Sequence, residues 1–265
     1  MLARQRQAMI LEQARRLGAV RVSDLVQTLD VSDMTIRRDL DVLAGKGLVE
    51  KVYGGATSVI GRSTDEPGFE LKSVRQRAQK EAMAALAAGL VQPGSAIGLS
   101  AGTTTWTLAH ALEAVPGLTV VTNSVQVADV LRAANQSDRT VVLTGGVRTP
   151  SDALVGPVAV QSLRSLHLDM VFLGVHGMAA GPGFTTPNLT EGETDRALVE
   201  SARKLVVLAD HTKWDYVGIS TIAELNEADV LVSDDGLSDT AREVLAEHVG
   251  ELMIATTPED YSQAD

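Results

Sequence analysis

The chain has 265 residues, of which 45% are hydrophobic, 22% are charged and none is cysteine. This composition predicts a globular protein with two domains or one large domain, and the lack of cysteine excludes disulfides, thiolate metal ligands and thiol nucleophiles. The longest apolar stretch, Ala82 to Val91, has about half the ~20 residues that a membrane helix needs. Arg4, Arg6 and Arg15 precede any apolar segment, which is not typical of a secretory signal. We therefore expect a cytoplasmic protein without a membrane partner.

The net charge of −11 is unevenly distributed along the chain. Residues 1–80 contain 14 Lys and Arg against 10 Asp and Glu, whereas residues 81–265 contain 9 against 24. A basic segment on an acidic body indicates that only the first segment approaches a polyanion. The eight aromatic residues are too few for a protein that binds single strands by base stacking.

Residues 1–57 predict three short helices and a pair of strands. The apolar stripes of the helices are Ile10, Ala14 and Leu17; Leu25, Val26 and Leu29; and Ile36, Leu40 and Leu43. Ser23 and Ser32 are the predicted N-caps of the second and third helices. A strand from Leu48 to Val52 then leads into a turn at Tyr53 and a returning strand.

The second and third helices, joined by a tight turn, fit a helix-turn-helix. Thr35, Arg37 and Arg38 point away from the apolar stripe of the third helix, where a recognition helix meets base edges in the major groove. Arginine suits both the recognition of guanine and the neutralisation of phosphate. The alternative is a small helical subdomain whose arginines pair with Asp39, Asp41 or solvent.

The rest of the chain predicts a linker at residues 58–76 and an α/β domain at residues 77–258. An alanine-rich helix begins at Arg77, and short apolar runs then alternate with amphipathic ones, which is typical of a mainly parallel sheet with crossover helices. The predicted strands centre on Ile97, Val120, Val142, Phe172, Val207, Leu231 and Met253. The predicted helices cover residues 104–114, 124–134, 158–165, 192–202 and 238–248.

Five of these strands end in polar or glycine-rich segments. The segments are Ser100–Thr105, Thr122–Ser124, Thr144–Gly146 with Arg148 beyond, Gly174–Gly177 and Asp210–Lys213. Ligands of open parallel sheets lie at the carboxyl ends of the strands, and glycines, hydroxyls and helix N-termini bind anions there. Arg148 and Lys213 are the basic side chains just past strand ends, so we expect them to contact a small phosphorylated ligand.

The N-terminal segment resembles the winged helix-turn-helix of the DeoR family of bacterial transcriptional regulators. The matching residues are VSDMTIRRDL at residues 31–40 and YGGA at residues 53–56. Tyr53 stands where the family usually has His. The resemblance implies DNA contacts from the recognition helix and the wing, namely from Ser32, Met34, Thr35, Arg37, Arg38, Lys51, Tyr53, Gly54 and Gly55.

The large domain resembles the sugar-phosphate-sensing domain of the same family, which is similar to ribose-5-phosphate isomerase in fold. The matching strings are SAGTTT, VTNS, TGG, FLGVHG and VLADHTKW, in the expected order. Ser100 stands where the family commonly has Asp. The expected effector-binding residues are Ser100, Gly102, Thr103, Thr104, Asn123, Gly145, Gly146, Arg148, His176 and Lys213.

The resemblance implies a regulator rather than an enzyme. It implies a repressor of a carbohydrate or polyol operon, with double-stranded operator DNA and a phosphorylated sugar or polyol as partners. We expect neither a cofactor nor a metal, because the five histidines have no metal-ligand spacing. We expect a homodimer or homotetramer, since one winged helix contacts few bases.

Two enzymatic alternatives remain open from the residues. Gly98-Leu99-Ser100-Ala101-Gly102 matches the G-x-S-x-G nucleophile elbow of hydrolases, with Asp210 and His248, or Asp169 and His211, as partners. A sugar-phosphate isomerase would need a carboxylate base. The candidate bases are Asp169, Glu191, Glu193 and Asp210, although the first turn of a helix gives Glu191 or Glu193 a capping role instead.

Overall fold

The computed structural model of the chain describes residues 3–17, 19–45, 48–58, 68–134, 136–149 and 151–257. The chain divides into two compact units, Met1–Arg62 and Ser63–Asp265. Residues 59–67 of the predicted linker and residue 258, the predicted end of the large domain, lie outside the described residues. Among the helices that the structure describes, none combines the length and apolar character that crossing a membrane requires.

The N-terminal unit is a three-helix bundle with a small antiparallel sheet. Its elements are α1 (Ala3–Leu17), β1 (Ala19–Arg21), α2 (Val22–Leu29), α3 (Asp33–Gly45), β2 (Val49–Val52) and β3 (Gly55–Ser58). The strand order is β1-β3-β2, so the predicted hairpin gains a third strand, β1, which the sequence did not indicate.

The core of this unit contains the predicted helical stripes. Ile10 and Ala14 of α1, Leu25 of α2, and Ile36 and Leu40 of α3 are all at most 1% exposed, while the side chain of Leu17 lies outside the description. The winged helix-turn-helix arrangement therefore forms around one apolar core, as the 3.6-residue period predicts.

One of the two predicted helix caps is present. Ser32 Oγ accepts a hydrogen bond from the Thr35 amide at 3.3 Å, which satisfies a free N–H group at the start of α3. The cap prediction for Ser23 was wrong, because α2 already begins at Val22 and the Ser23 hydroxyl donates to Asp24 instead.

The C-terminal unit is an α/β domain. Its strands are β4 (Ala96–Leu99), β5 (Thr119–Thr122), β6 (Thr140–Leu143), β7 (Val147–Arg148), β8 (Leu154–Val155), β9 (Met170–Gly174), β10 (Gly177–Ala179), β11 (Gly183–Thr186), β12 (Leu205–Leu208), β13 (Ser220–Ala223), β14 (Val230–Asp234) and β15 (Leu252–Ala255). Its helices are α4 (Phe69–Ser73), α5 (Arg77–Ala88), α6 (Thr103–Ala111), α7 (Val125–Ala133), α8 (Pro157–Leu163), α9 (Leu189–Glu200) and α10 (Asp239–His248).

Seven parallel strands form the central sheet in the order β15-β14-β12-β9-β4-β5-β6. These are the seven strands predicted from the apolar runs, and the predicted α/β class with a mainly parallel sheet is confirmed. Alternate residues of each inner strand enter two apolar clusters, so that Phe172 packs with α5, α6 and α7 and Leu173 packs with α8, α9 and α10. Burial on both faces explains the unbroken apolar runs in the sequence.

Short elements around this sheet were not predicted. Helix α4 lies within the stretch that was predicted as a linker without helical structure. Strands β10, β11 and β13 form a separate antiparallel sheet, and β7 and β8 form a hairpin. These strands have two to four residues each, which is too short for an alternating pattern to stand out.

The strand order places a crevice at the middle of the sheet. From β4 the chain proceeds outward through β5 and β6, and it then returns to the other side of β4 to form β9, β12, β14 and β15. Strands β4 and β9 are therefore the point where the order reverses, and their carboxyl ends are where an open sheet of this kind binds ligands. The five predicted polar ends belong to five consecutive strands, β12-β9-β4-β5-β6.

Candidate functional sites

Helix α3 of the N-terminal unit presents an exposed face at its first turns. Met34, Arg37 and Arg38 are exposed, and Thr35 is half-buried. The Ser32 and Thr35 hydroxyl oxygens are 2.9 Å apart, so each residue holds the other in place. An exposed methionine beside two arginines suits a groove with both methyl groups and hydrogen-bonding base edges.

The two arginines differ in their partners. Arg37 Nε donates to Asp33 Oδ1 at 2.5 Å and its Nη2 donates to Oδ2 at 3.3 Å, and this pairing lowers the pKa of Asp33. Asp39 instead accepts from Arg6 and Gln7 inside the unit. Arg38 forms no ion pair with any residue that the structure describes, so it is the cation of this face that is available to DNA at least cost.

The wing is the turn between β2 and β3. Tyr53 at its tip is fully exposed, and Gly54 has a φ of +81°, a conformation that favours glycine. Lys51 forms an exposed ion pair with Asp41 of α3, so the wing contacts this helix. Gly55 is buried, and a Cβ at this position would be only 2.0 Å from the Val20 carbonyl oxygen. Its role is therefore in the packing of the sheet, and the exposed part of the predicted wing ends at Gly54.

The loop after β4 forms the start of a helix at the crevice of the C-terminal unit. Gly102 has a φ of +151° and is the residue before α6, where it has no side chain to cap the helix. Thr103 and Thr104 follow and are mostly buried. The first amides of a helix have no partner within the helix, and together with the helix dipole they form a site for phosphate.

Hydrogen bonds connect the end of β4 to its two neighbours. Ala101 N donates to Asn123 Oδ1 at 2.7 Å, and Gly174 N donates to Ser100 Oγ at 3.0 Å. Thr105 Oγ1 donates to the Ser100 carbonyl at 2.7 Å. The structure thus brings Ser100, Asn123 and Gly174 together as predicted, and it gives the Ser100 hydroxyl a role in joining two strands.

A buried lysine that the sequence analysis missed lies near Lys213. Lys80 of α5 is 4% exposed, and its Nζ donates to the Lys72 and Arg75 carbonyls at 2.5 and 2.6 Å. Burial lowers its pKa to about 8, while Asp210 acts in the opposite direction and Lys213 adds to the lowering. Lys80 lies on the same stripe as Met83, Ala84 and Ala87, and a lysine within a buried stripe is the signal that could have identified it.

Arg148 is the other cation that was expected at the ligand. It lies on the β7–β8 hairpin, its side chain is more than half exposed, and Nε donates to Asp152 Oδ1 at 2.8 Å. The pairing lowers the pKa of Asp152. Because Arg148 is already neutralised and lies largely in water, Lys80 and Lys213 are the stronger candidates for a phosphate.

The remaining predicted residues shape the neighbouring strand ends. Gly145 and Gly146 have φ angles of +72° and +121°, and a Cβ on Gly146 would be 2.5 Å from the Val155 carbonyl oxygen. The His176 amide donates to the Thr185 carbonyl at 3.0 Å, and its ring packs edge-on against Tyr216 at 4.7 Å between centroids. These positions set the path of the backbone around the crevice.

His211 forms an ion pair next to Lys213. Its Nδ1 is 2.7 Å from Asp234 Oδ1, and its amide donates to Asp234 Oδ2 at 2.8 Å. The hydrogen bond to Asp234 raises the pKa of His211 in spite of burial. Burial alone would raise the pKa of Asp234, but the hydrogen bonds from His211 and from Gly236 outweigh it, so that this pKa is lowered. When His211 is protonated the pair is electrically neutral, so the Asp234 carboxylate then adds no net negative charge close to Lys213.

Two acidic side chains of α9 lie on the other side of the crevice. Glu191 Oε1 accepts from Thr149 Oγ1 at 2.7 Å and from Ser151 Oγ. Glu191 lies in the first turn of α9, where the sequence considered it for capping and for compensation of the helix dipole. The side chain that caps the helix is that of Asn188, which accepts from the Glu191 amide at 3.2 Å. Asp195, which the sequence analysis missed, is almost fully buried, and burial raises its pKa well above the usual value, with a further contribution from Glu191.

The hydrolase alternative is not supported by the geometry. His211 pairs with Asp234, and His248 Nδ1 is 2.7 Å from the Val244 carbonyl oxygen. Asp169 Oδ2 accepts from the Ala96 amide at the amino end of β4, the end opposite to Ser100. No serine-histidine-aspartate triad forms among the described residues, and within the same residues no group of three or more acidic or histidine side chains is placed to hold a metal.

Comparisons with known proteins agree on one family across the chain. Residues 6–60 match the DeoR-like helix-turn-helix domain, and residues 75–235 match the DeoR C terminal sensor domain. The HTH-type transcriptional regulator YgbI of Escherichia coli is 38% identical over 96% of this chain and 99% of its own length. GlpR of Haloferax volcanii is 35% identical, covering 92% of this chain and 94% of its own.

A further relative and a solved structure complete the comparison. The L-fucose operon activator of Haemophilus influenzae is 29% identical, covering 92% of this chain and 96% of its own. The ribose 5-phosphate isomerase A of Neisseria gonorrhoeae matches at 17% identity with a TM-score of 0.36, over 51% of this chain and 52% of that one. The sequence relatives are thus named as regulators of transcription, while the structural match concerns about half of each chain.

Proposed function

Because the chain belongs to the DeoR family of transcriptional regulators, we propose that it represses a carbohydrate or polyol operon and that a phosphorylated sugar or polyol releases it from DNA. The observation that carries the effector half is the pairing of an anion-binding helix N-terminus with two lysines at the crevice. Residues 81–265 contain 9 basic against 24 acidic side chains. Basic side chains grouped at a strand end of such an acidic domain therefore indicate a site for an anion.

The DNA half of the proposal rests on the exposed face of the N-terminal unit. Arg38 is available for a phosphate or a guanine, and Arg37 is held in a fixed orientation by Asp33. Met34 suits the methyl group of thymine. Tyr53 also acts electrostatically on Arg37, so the wing tip and the recognition helix lie on one side of the unit. Both elements can then contact one stretch of duplex.

The effector half rests on the strand ends. In this proposal the phosphate binds to the amides after Gly102, to the Thr103 and Thr104 hydroxyls and to Lys213. The buried Lys80 adds positive charge near Lys213. The helix N-terminus and the ammonium groups together provide the donors that a phosphate dianion needs. Asn123 and His176 lie at the ends of the adjoining strands and face the remainder of the ligand in this proposal.

Repression and assembly are further parts of the proposal. One relative bears the name of an operon activator, so the sign of regulation is tested by transcription from the target promoter with and without effector. A winged helix reads few base pairs, and two heads on repeated half-sites supply the missing specificity. Sedimentation that shows a monomer at micromolar concentration, both with and without operator, would contradict the expected dimer or tetramer.

The central experiment combines operator binding with an effector screen. Selection from random duplex DNA provides an operator, and a thermal-shift screen of phosphorylated sugars and polyols provides a ligand, since binding to the folded state raises the midpoint. Fluorescence anisotropy then measures operator release by that ligand. Lys213→Ala removes the phosphate contact, so the variant should bind the effector much more weakly while its operator affinity stays unchanged.

The matched control for this variant is Lys204→Ala. Lys204 directly precedes β12 and lies at the amino end of the strand whose carboxyl end leads to Lys213. We expect the effector to release Lys204→Ala from the operator at the same concentration as the parent. If Lys213→Ala is released from the operator at that same effector concentration, Lys213 is not part of the site, and Lys80 is then the first candidate for the phosphate, ahead of Arg148. Turnover of any sugar phosphate by the purified protein would instead support the isomerase alternative.

A further inference from the structure

One edge of the central sheet is open and apolar. Strand β6 is the last strand on one side, and three of its four residues, Thr140, Val142 and Leu143, are exposed. At the other edge, none of the four residues of β15 is exposed. Open edge strands usually carry a lysine, a proline or a bulge that prevents pairing with another chain, and β6 has none of these. We therefore expect another chain to cover this edge.

An apolar strip continues from this edge onto the neighbouring elements. We define the apolar strip by six side chains that are each 38 to 73% exposed, namely Val142, Val147, Val158, Leu189, Val217 and Ile219. The part of the C-terminal unit that the structure describes has eight exposed large hydrophobic side chains, and only Val74 and Leu143 are not in the strip. Single hydrophobic side chains are common on a surface, but a contiguous group of them indicates an interaction site.

The first half of the strip joins β6 to α8. Ser162 of α8 donates to the Thr144 carbonyl at 3.0 Å, and a Cβ on Gly145 would be 3.4 Å from Val158 Cγ1. The first turns of α8 therefore lie against the end of β6. In the hairpin that follows β6, Val147 is paired with β8, which leads directly into α8.

The second half of the strip joins α8 to α9 and to the loop before β13. A Cβ on Gly156, the residue before α8, would be 3.9 Å from Cγ2 of Thr190, which follows Leu189. Gly218 lies between Val217 and Ile219, and a Cβ there would be 2.4 Å from the Thr186 carbonyl, just before α9. The six side chains thus lie on elements that contact one another in sequence from the sheet edge.

The strip is large enough to form the apolar centre of a dimer contact. A fully exposed Val, Leu or Ile side chain has about 100 Å² of apolar area, so the six partly exposed side chains have roughly 300 Å² together. An interface of standard size buries about 800 Å² on each partner, of which up to about 65% is apolar. The strip therefore supplies more than half of the apolar area that such a contact needs.

The charge of the domain indicates which partner fits the strip. Residues 81–265 contain 9 basic against 24 acidic side chains, so nucleic acid and anionic membranes are repelled, and a basic protein is attracted to the acidic surface instead of an uncharged strip. A second copy of the chain can place strip on strip, with the acidic side chains of both copies outside the contact. A two-fold contact uses the same patch on both copies.

We propose that two copies of this chain associate through the apolar strip and the open edge of β6. The contact removes the strip from water on both copies, and it covers the unpaired backbone groups of the edge strand. The inference rests on the proposed function, which needs two DNA-binding heads on repeated half-sites but does not identify the surface that joins them.

The first test introduces one carboxylate into the strip. Val158→Glu and Leu189→Glu change side chains that are 61 and 64% exposed in a single chain, so each chain should fold, but the dimer would bury an unpaired charge. Sedimentation equilibrium of the full chain should show that the dissociation constant rises at least about tenfold in both variants. Val74→Glu adds the same charge at a side chain that is 73% exposed and outside the strip. This matched control should keep the parent's dissociation constant, and circular dichroism shows whether each variant is folded.

The second test follows the association of the parent with salt. Between about 0.05 and 0.5 M sodium chloride, salt screens the repulsion between two acidic domains and leaves the apolar contact in place. The dissociation constant should therefore stay the same or fall as the salt concentration rises. A dissociation constant that rises with salt would show an ionic contact and would contradict the proposal.

The third test needs no added charge. The chain has no cysteine, so Val158→Cys has a single thiol group. Its rate of reaction with a maleimide should fall as the protein concentration rises through the dissociation constant, because association covers the strip. Val74→Cys should react at the same rate at every concentration.

The possible failures have different meanings. If the parent associates but Val158→Glu, Leu189→Glu and Val74→Glu all keep its dissociation constant, or if the thiol of Val158→Cys reacts at one rate throughout, two copies associate through another surface and this inference is wrong. If the parent is a monomer at micromolar concentration both with and without operator, the expected assembly is wrong, and the inference is wrong with it.

Discussion

Effector affinity should fall in mildly alkaline solution because of Lys80. Burial lowers the pKa of this lysine to about 8, whereas an ordinary lysine titrates near 10.4. With this pKa, about nine-tenths of the Lys80 side chains are charged at pH 7 and about one-tenth at pH 9. If the phosphate binds only to the charged form, its apparent dissociation constant rises about tenfold between these pH values.

The ligand itself does not titrate in this range. The second pKa of a phosphate monoester is near 6, so the phosphate is a dianion throughout. The bound anion favours the charged lysine and raises the pKa of Lys80 again, so binding at pH 8 to 9 should take up a proton. Calorimetric titration in two buffers with different ionisation enthalpies measures this proton uptake directly.

Lys80→Met is the variant that tests the assignment. The substitution keeps an unbranched side chain in the buried position but leaves the Lys72 and Arg75 carbonyls without their donor, at a cost of about 1–3 kcal/mol in unfolding free energy. Its effector affinity should be lower at pH 7 and should not change up to pH 9. His211→Gln, which removes the other group that titrates nearby, should keep the alkaline decrease. A parent whose affinity is constant from pH 7 to 9 would refute the reasoning, and so would a Lys80→Met variant that still loses affinity.

Two further predictions concern the recognition helix and the His211–Asp234 ion pair. Arg38→Ala should weaken operator binding by about 1–3 kcal/mol. Arg37→Ala should also weaken it, but part of that loss should be recovered when Asp33→Ala is added, because the unpaired Asp33 carboxylate repels DNA. Anisotropy titrations of the three variants check this. His211→Gln should lower the free energy of unfolding by on the order of 1 kcal/mol near pH 5. The folded-state pKa of His211 lies above 6.5, and that of Asp234 lies below 3.8. The difference in unfolding free energy between the parent and His211→Gln should therefore shrink as the pH rises through the pKa of His211 or falls through the pKa of Asp234. Denaturant unfolding at pH 3, 5 and 8.5 measures it, and a difference that grows toward pH 8.5 would contradict the pairing.

The central sheet could be predicted because its information is local. The inner strands are buried on both faces, so the sequence of each is a short apolar run such as Leu205 to Leu208. The edge strand β6 is largely exposed but is also an apolar run, and each crossover helix shows its own stripe. The polar ends of the strands follow from the same pattern, since the residue after a buried strand lies at an edge of the sheet. The predicted convergence of five ends needed only the parallel topology.

The charged residues of the crevice could not be predicted in the same way. Lys80 and Asp195 lie on helices, and because charged side chains are usually exposed, their burial becomes evident only from how those helices pack. The apolar stripe that includes Lys80 is a local indication for that residue alone. The partner of Arg148 is Asp152, across a hairpin of two-residue strands that leaves no periodic signal. For the same reason Arg148 was ranked with Lys213, although only the structure shows that it is paired and exposed.

Residue Phe69 offers a test of how the effector site communicates with the linker. Phe69 begins α4, the first helix after residues 59–67, and its ring packs edge-on against Trp106 at 5.9 Å between centroids. Trp106 belongs to α6, whose first residue is Thr103 of the proposed phosphate site. Lys80 holds the Lys72 and Arg75 carbonyls of the same segment. In the proposed effector complex the phosphate lies next to α6 and Lys80, and Trp106 of α6 and Lys80 both contact residues 69–75.

Phe69→Ala should reduce coupling between effector and operator without removing either binding activity. An aromatic pair contributes about 0.5–1.5 kcal/mol beyond its buried area, and a coupling free energy is typically about 1–3 kcal/mol. We therefore expect the effector to bind with nearly the parent's affinity, while the ratio of operator affinities without and with effector falls about two- to tenfold. Phe69→Leu keeps an apolar side chain without the ring and should retain more of the ratio. Operator anisotropy at saturating effector measures the ratio for each variant. If Phe69→Ala keeps the parent's ratio of operator affinities, the signal reaches the DNA-binding unit by a route that does not use this ring contact. A contact that carries no differential free energy cannot shift the equilibrium between the two states.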